Sequence, residues 1–340
     1  MARRPTQRQI AERLGLSPAT VSLALRGSPM IAVETRRLVE EAIAESGYVR
    51  NASAASLRTG RSRIIGVSFH NIAHQFFAEM LIAIEETLGS AGIAIFLNNH
   101  GEQADSFTRF VRSLAAHGAE GLLVSPPPGA EVGLLAPLKR QGVPIIYVSR
   151  RIEEDDAADW VVNADHTAMV RATRRLIELG HRRLALLGGQ DGTTVARDRL
   201  DGFRLALSDA GIPIEPLPWF PCRPRLMEGA RQARAALAQE PAPTAFVCFN
   251  DLVAFGAMNA IRALGKEPGR DVAVVGVGGT DEAAAYHPAL TTVLDNPAKI
   301  GHLAAKTLLE RLETPDGPPR RIMLDPRLMV RESCGGPRDP

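Results

Sequence analysis

The chain has 340 residues, of which 45% are hydrophobic and 23% charged, the make-up of a globular protein long enough for two or three domains. No uncharged apolar stretch approaches the roughly 18–20 residues of a membrane span, and residues 1–20 hold no signal-like apolar core, so neither a spanning helix nor a secretory leader is expected. The net charge of +2 is unevenly spread: residues 1–63 carry 11 arginines against 5 glutamates (+6), while the other 277 residues carry 29 basic and 33 acidic residues (−4). A small basic head on a mildly acidic body points to a polyanionic partner for the head. Cys222, Cys248 and Cys334 are too scattered for a disulfide framework or a thiolate metal site, and fit a reducing cytoplasm.

In chain order, Thr6 followed by Gln9 has capping-box spacing and predicts a helix from Gln7, with Ile10, Ala11 and Leu14 as its apolar stripe. Gly15 ends it in a left-handed turn that a side chain would resist. Ser17 is then an N-cap with Pro18 at the first helical position, where a missing N–H is harmless. Val21, Ala24 and Leu25 face back to the first helix, and Gly27 closes the second. A third helix buries Leu38, Val39, Ala42 and Ile43 and stops at Gly47. Two short helices joined by residues 14–16 make a helix-turn-helix, here within a three-helix domain at 1–49.

On the second helix the residues pointing away from that core are Ala19, Thr20, Ser22, Leu23 and Arg26. Short side chains let a helix sink into a DNA major groove, where hydroxyls meet phosphates or base edges and methyls meet thymine. Thr6, Ser17 and Pro18 join them as DNA-binding candidates, and Arg3, Arg4, Arg8 and Arg36 are placed for flanking phosphates. A protein-docking trihelical bundle is the plainer alternative.

The stretch ATVSLALRG, continued by VETRRLVEEAIAESGYVRNASAASLRTGRSRIIGV, resembles the head and hinge of lactose-repressor (LacI/GalR) regulators, and the likeness runs along almost the whole chain. Leu23 stands where the family commonly has a base-reading Arg, and Ala32 where it has a Ser cap. Residues 50–61 begin with the N-cap candidate Asn51 and end near Gly60; alone, so short a helix is marginal. The resemblance implies that two such hinges from a dimer pack in the minor groove, with Leu57 wedged between base pairs and Asn51, Ser53, Ala54 and Arg58 around it. The alternative is a plain Ala/Ser linker.

From Ile64 the apolar runs IIGVSF, IAIFL, GLLVS, PIIYVS, WVVN, RLALLG, AFVCF and VAVVG alternate with helical segments, which means parallel sheets covered on both faces. The body is too long for one sheet. It is expected to form two lobes facing a cleft, an N-lobe of about 62–162 and 294–324 and a C-lobe of about 163–293 and 325–340, with crossings near Asn163, Val293 and Asp325. The resemblance implies the type-I periplasmic-binding-protein fold, used as an effector-binding and dimerisation domain at 62–340. The fold class is therefore α/β: a helix-turn-helix head, a hinge helix and a two-lobed body.

Ligands of such sheets sit at the carboxyl ends of strands. Candidate effector residues there are His74 and Phe76 after the first strand, Ser125 opening the SPPPG loop, Asn163 and Asp165 after WVVN, Arg199 in ARDRLDGF, Asn250 beside Asp251 in CFND, and Gly278. Arg199 matches the family arginine that holds hydroxyls or carboxylates with its rigid fork. The family usually has an Asp about where Gly278 stands. Without it, and with Arg150, Arg151 and Arg197 nearby, surplus positive charge in the cleft would favour an acidic ligand such as a sugar acid or a phosphorylated sugar; the alternative is that these arginines simply face water.

VGVGGTD lacks the final Gly of a dinucleotide loop, and His70 and His74 follow a strand end, where the helical geometry that would bring them onto one metal is not assured, so neither a cofactor nor a metal is expected. No catalytic constellation can be assembled. The expected partners are an inverted-repeat DNA operator, a second copy of the chain and a sugar-like effector; the alternatives are a free sugar-binding protein and an enzyme built on the body.

Overall fold

The computed structural model describes residues 5–25, 27–48, 61–189 and 192–335. It divides into two units, Met1–Ser62 and Arg63–Pro340.

The first unit holds three helices: α1 (Gln7–Leu14), α2 (Pro18–Ala24) and α3 (Val33–Ser46). Thr6 and Gln9 form the expected reciprocal capping box, and Gly15 turns left-handed with φ 64°. Ser17 caps α2 by accepting the Thr20 N–H, with Pro18 in the first turn. Ala32 gives α3 no side-chain cap, and the Glu34 carboxylate lies in its first turn, where the helix dipole favours it. Ile10, Ala11, Val21, Ala24, Val39 and Ala42 form the core, with Leu14, Leu16, Leu25 and Ile43 at its edge. Leu38, expected inside, is 44% exposed, because Val39 and Ala42 already turn α3's narrow buried face inward.

The second unit contains two six-stranded sheets. In chain order its elements are β1 (Ile64–Phe69), α4 (Gln75–Ser90), β2 (Ala94–Asn99), α5 (Ala104–Ala116), β3 (Gly121–Val124), α6 (Ala136–Lys139), β4 (Ile145–Val148) and β5 (Asp159–Asn163). These are followed by α7 (Asp165–Glu178), β6 (Leu184–Leu187), α8 (Thr194–Asp209), β7 (Trp219–Phe220), α9 (Leu226–Leu237), β8 (Ala245–Cys248), α10 (Asp251–Ala263) and β9 (Ala273–Gly278). The last are α11 (Asp281–Ala285), β10 (Thr291–Leu294), α12 (Pro297–Glu313), β11 (Arg321–Leu324) and β12 (Arg327–Met329). The first sheet runs β11-β5-β4-β3-β1-β2 and the second β12-β10-β9-β8-β6-β7. Only the β10–β12 pair is antiparallel among the pairs between these strands.

All eight apolar runs are strands; in seven of them burial on both faces removes the need for polar alternation, and β2 is a largely exposed edge. Each sheet accordingly has one core on each side. Ile65, Val67 and Phe69 pack toward α4 and α12, while Leu122, Val124 and Tyr147 pack with Phe107 and Val111 of α5 on the other side. Four strands lie outside the expected set. β7 is a two-residue edge, β11 and β12 carry exposed arginines, and β10 opens on two threonines, so none has an apolar run.

The chain passes between sheets after β5, after β10 and between β11 and β12. Leu294, expected to open the return to the first lobe, is still paired with Gly278 and Arg327 in the second sheet. The passage therefore falls at Asp295 and Asn296. In the C-lobe, a Cβ on Gly256 would lie 2.0 Å from the Leu226 carbonyl oxygen, and one on Gly229 2.4 Å from that of Val253. α9 and α10 therefore cross backbone to backbone. Gly256→Ala should destabilise the body by about 1–3 kcal/mol through overpacking, read as a lower urea midpoint; an unchanged midpoint would show that the helices do not meet so closely.

Candidate functional site

On the head, the exposed line of α2 is short and uncharged. Ala19 is exposed, and Thr20, Ser22 and Leu23 are half-buried. The hydroxyls are already engaged locally: Ser17 Oγ lies 2.8 Å from Thr20 Oγ1 and accepts the Thr20 N–H at 3.0 Å. Thr6 Oγ1 accepts the Gln9 N–H. Pro18 offers its carbonyl to the Gln7 amide at 3.2 Å. The caps thus hold the face that would meet DNA, and because Ser17 and Thr20 share one hydrogen bond, one of their two O–H groups is left to donate to a phosphate oxygen.

Two arginines expected to hold phosphates have other work here. Arg36 donates to the Ser28 carbonyl at 3.0 Å and ties down the loop before α3, and Arg8 pairs with Glu12 at 3.0 Å across one turn. Arg3, Arg4, Arg26, Asn51, Ser53, Ala54, Leu57 and Arg58 lie outside the described residues.

In the body, the carboxyl ends of β1, β5, β8 and β9 converge on a cavity of about 140 Å³. His74, Phe76, Asn163, Asp165, Arg199, Asn250 and Gly278 all line it, as the strand-end argument places them. Ser125 does not. It is fully buried after β3, where its N–H donates to the Ser68 carbonyl and its own carbonyl accepts from His100 Nε2 at 3.0 Å. His100 Nδ1 accepts the Glu102 N–H, which leaves the proton on Nε2.

The cavity is organised by Arg199. It is 6% exposed, and its Nε donates to Asp165 Oδ1 at 2.6 Å while another nitrogen reaches the Phe249 carbonyl. Asp295 approaches the same guanidinium at 3.5 Å, and the group lies over the Phe249 ring with its carbon 4.8 Å from the centroid. Asn163 Nδ2 donates to Asp295 at 3.1 Å. Burial alone would push the arginine toward neutrality, but the neighbouring carboxylates outweigh it and hold its pKa above the usual value.

Asp295 had no sequence signal. It follows TTVL with nothing catalytic or ligand-like beside it, and only the lobe passage brings it to Asn163, 132 residues away. Asp251, noted only as the partner of Asn250, is equally built in. It accepts from Thr292 Oγ1 at 2.6 Å, from the Gly279 N–H at 2.7 Å and from the Thr280 N–H at 3.1 Å. Its carboxylate occupies the space beside Gly278, where an added Cβ would meet Oδ2 at 3.0 Å and where φ is +150°. An aspartate at 278 would be strained and would face a like charge.

The expected surplus of positive charge is therefore absent. Arg199 faces Asp165 and Asp295. Both terminal nitrogens of Arg150 are taken by Glu102, at 2.8 and 3.0 Å. Arg197 pairs with Glu153 at 2.5 Å, and Arg151 with Glu153 at 3.4 Å and Asp198 at 3.8 Å. The Glu153–Arg197 and Arg151–Asp198 pairs, with the Arg151 N–H to Thr194 Oγ1 at 3.4 Å, join the two lobes at the cleft mouth, beside a second opening of about 360 Å³. Deeper in, His74 Nε2 lies 3.5 Å from the Asn250 amide, again across the cleft.

Burial shapes the titration. It pushes the Asp295 carboxyl up to about 7 and raises Asp165 and Asp251, against the pull of Arg199 and, for Asp251, of its hydrogen-bond donors. Burial first, and Arg150 second, depress His70 to about 2; burial and Arg199 depress His74. Both rings are neutral at pH 7. Among the described residues no three His, Cys, Asp or Glu side chains converge as metal ligands, and no helix is long and apolar enough to cross a membrane.

A helix-turn-helix head and a two-lobed sheet domain with a polar cleft at its strand ends define a DNA-binding module coupled to a ligand-binding module. Residues 6–51 match the model for bacterial regulatory proteins of the lacI family, and residues 173–334 match the periplasmic binding protein-like domain. The HTH-type transcriptional repressor PurR of Glaesserella parasuis is 30% identical, covering 96% of this chain and 98% of that protein. The maltose regulon regulatory protein MalI of Escherichia coli K12 is 28% identical, covering 97% and 98%. Among solved structures, the lac repressor dimer bound to operator and the anti-inducer ONPF superposes with a TM-score of 0.87 at 26% identity, over 98% of this chain and 99% of that one. A CelR–cellobiose complex gives 0.74 at 28% identity, over 97% and 100%. The chain belongs to the lacI family: it is a DNA-binding transcriptional repressor with a ligand-binding domain.

Because an ordinary carboxyl titrates near 4, an Asp295 held near 7 keeps a proton in the native state that the unfolded chain has lost. Its contribution to stability therefore falls as pH rises from about 4 to about 7 and is constant above. Asp295→Asn should be more stable than the natural protein at pH 8 by at least about 1.4 kcal/mol relative to the same comparison at pH 5, measured by urea unfolding. An equal difference at both pH values would contradict the raised pKa.

Proposed function

We propose that this protein binds an inverted-repeat operator as a homodimer, and that a small hydroxylated metabolite in the Arg199 cleft sets its affinity for that DNA. The observation that carries the reading is the joint presence, in one chain, of a capped helix with a short-chain outer face and a cleft whose polar groups come from both lobes. PurR is named as a transcriptional repressor and MalI as a regulatory protein, and the lac repressor neighbour is a dimer on operator. Those likenesses support the dimer and the inverted repeat.

In the mechanism, Ala19, Thr20, Ser22 and Leu23 enter the major groove with Arg26 at the end of their helix. Phosphate contacts fix the register, and methyl and hydroxyl contacts select bases. Leu57 of each hinge enters the minor groove as a wedge, flanked by Asn51, Ser53, Ala54 and Arg58. Ligand hydroxyls meet Asp165, Asn163, Asn250 and Asp295 around Arg199, with Phe76 as an apolar face. A ligand that contacts both lobes favours one closure angle, and that preference is the free energy available to shift DNA affinity. The ion pairs of Glu153 with Arg197 and of Arg151 with Asp198 at the mouth are the contacts that closure makes or breaks.

In-vitro selection from random duplexes with the full chain should return inverted repeats, and a labelled repeat should bind specifically at moderate salt; recovery of no such repeat refutes the regulator reading. On the recovered duplex, Leu57→Ala should lose at least tenfold in specific affinity with non-specific binding nearly unchanged, about 1.4 kcal/mol or more. Equal loss of both would remove the wedge role. Arg199→Lys keeps the charge but not the fork, and should weaken the effector's influence on DNA binding at least tenfold while leaving operator affinity without effector intact. An unchanged effector titration would take Arg199 out of the ligand's contacts.

A further inference from the structure

The cleft wall carries four carboxylates, Glu79, Asp165, Asp251 and Asp295, against two guanidinium groups, Arg150 and Arg199. Those two cations are already committed. Arg150 is held by both oxygens of Glu102 outside the wall, and Arg199 turns its Nε and a terminal nitrogen to Asp165. Among the acids, Asp251 has three close donors and Glu79 accepts from the Gln75 amide at 2.8 Å. Asp295 is different. Its side chain is 10% exposed, and its two oxygens face the Asn163 amide at 3.1 Å and Arg199 only at 3.5 Å.

Held near 7, Asp295 is about half ionised at pH 7, and in its ionised form a buried carboxylate wants more donors or a closer cation than that, because water no longer solvates it. The aromatic wall supplies the complementary surface. Phe76, Phe77 and Phe249 line the same cavity, with Phe76 and Phe77 in edge contact at 5.0 Å. Ring faces attract cations and tolerate C–H groups. His70 and His74, the other basic side chains of the wall, are held neutral by burial, helped by Arg150 and Arg199 respectively.

We propose that the effector carries a protonated amine, seated against Asp295 and the phenylalanine faces, on a compact hydroxylated frame. The hydroxyls find Asn163, Asn250 and the open lone pairs of Asp165; the ammonium completes the coordination that Asn163 and Arg199 leave short at Asp295. A carboxylate or phosphate in the same place would meet excess like charge. The inference rests on the cleft being the effector site.

Three molecules of nearly equal size test the charge directly: protonated tris(hydroxymethyl)aminomethane, neutral pentaerythritol, and the 2,2-bis(hydroxymethyl)propionate anion. Each is added at about 50 mM to the full chain in phosphate buffer at pH 7 and matched ionic strength, without DNA, and the melting temperature is read, since bound ligand raises it by mass action. The cation should raise it by at least about 2 °C more than pentaerythritol, and the anion should not exceed pentaerythritol. Asp295→Asn should erase the cation's advantage.

No gap between cation and neutral compound, a gap that survives Asp295→Asn, or strongest stabilisation by the anion would each overturn the proposal. Should the variant not fold, the natural protein decides alone. The gap must close at about pH 9.5, where the amine is uncharged, and a persisting gap overturns the proposal. DNA takes no part in this assay, so its failure leaves operator binding untouched, and a failed operator selection leaves its result standing.

Discussion

The buried guanidinium of Arg199 is the group on which the rest of this structure turns. It is the one cation among Asp165, Asp251 and Asp295, and it is anchored from α8 to the start of α7, the end of β8 and the passage after β10. A buried charge is tolerated only where partners replace its hydration, and removing one partner strands the other. Here each partner stands at a strand end or a chain passage, so satisfying one charge fixes the geometry of the cleft floor. The network is therefore also where a ligand can exert leverage, since any new hydrogen bond to Asp165 or Asp295 redistributes what Arg199 receives.

The same logic links the floor to the mouth. Asn163 ends β5 in the first sheet and donates to Asp295, which leaves β10 in the second. At the opposite rim, Glu153 of the first lobe reaches Arg197 of the second at 2.5 Å. The rim pair is half-exposed and cheap to break, since exposed ion pairs contribute about 0–1 kcal/mol. The floor contacts are buried and costly to break. The lobes are joined firmly at the strand passages and weakly at the mouth, and on the proposed reading that asymmetry is what would let them open outward and couple the two sites.

Local chemistry was legible in the sequence. The capping box at Thr6 and Gln9, the Ser17–Pro18 start and the glycine stops are decided within a few residues, and the structure forms them where expected. Doubly buried strands were legible because burial on both faces forces an unbroken apolar run. β7, β11 and β12 escaped because edge strands keep polar residues, and β10, an interior strand, escaped because two buried threonines interrupt its apolar run. Six cleft residues were found because strand ends are where parallel sheets present side chains, and the seventh, Arg199 inside α8, was found by the family likeness. Ser125 failed the same test because its neighbours bury it, with its carbonyl turned to His100. Charge balance was misread for a different reason. Arg150 is paired with Glu102 across 48 residues, and Asp295 reaches Arg199 from another lobe passage, so no window of sequence shows that the arginines are already answered.

If the cleft governs the head, ligand and operator must alter each other's binding by the same factor, because the coupling free energy is shared. The direct measurement is calorimetric titration of a cleft-binding compound into the free protein and into its operator complex. The two dissociation constants should differ by the ratio that the compound produces in operator affinity. Equal constants, with operator binding intact, would show that the cleft and the DNA-binding helix act independently.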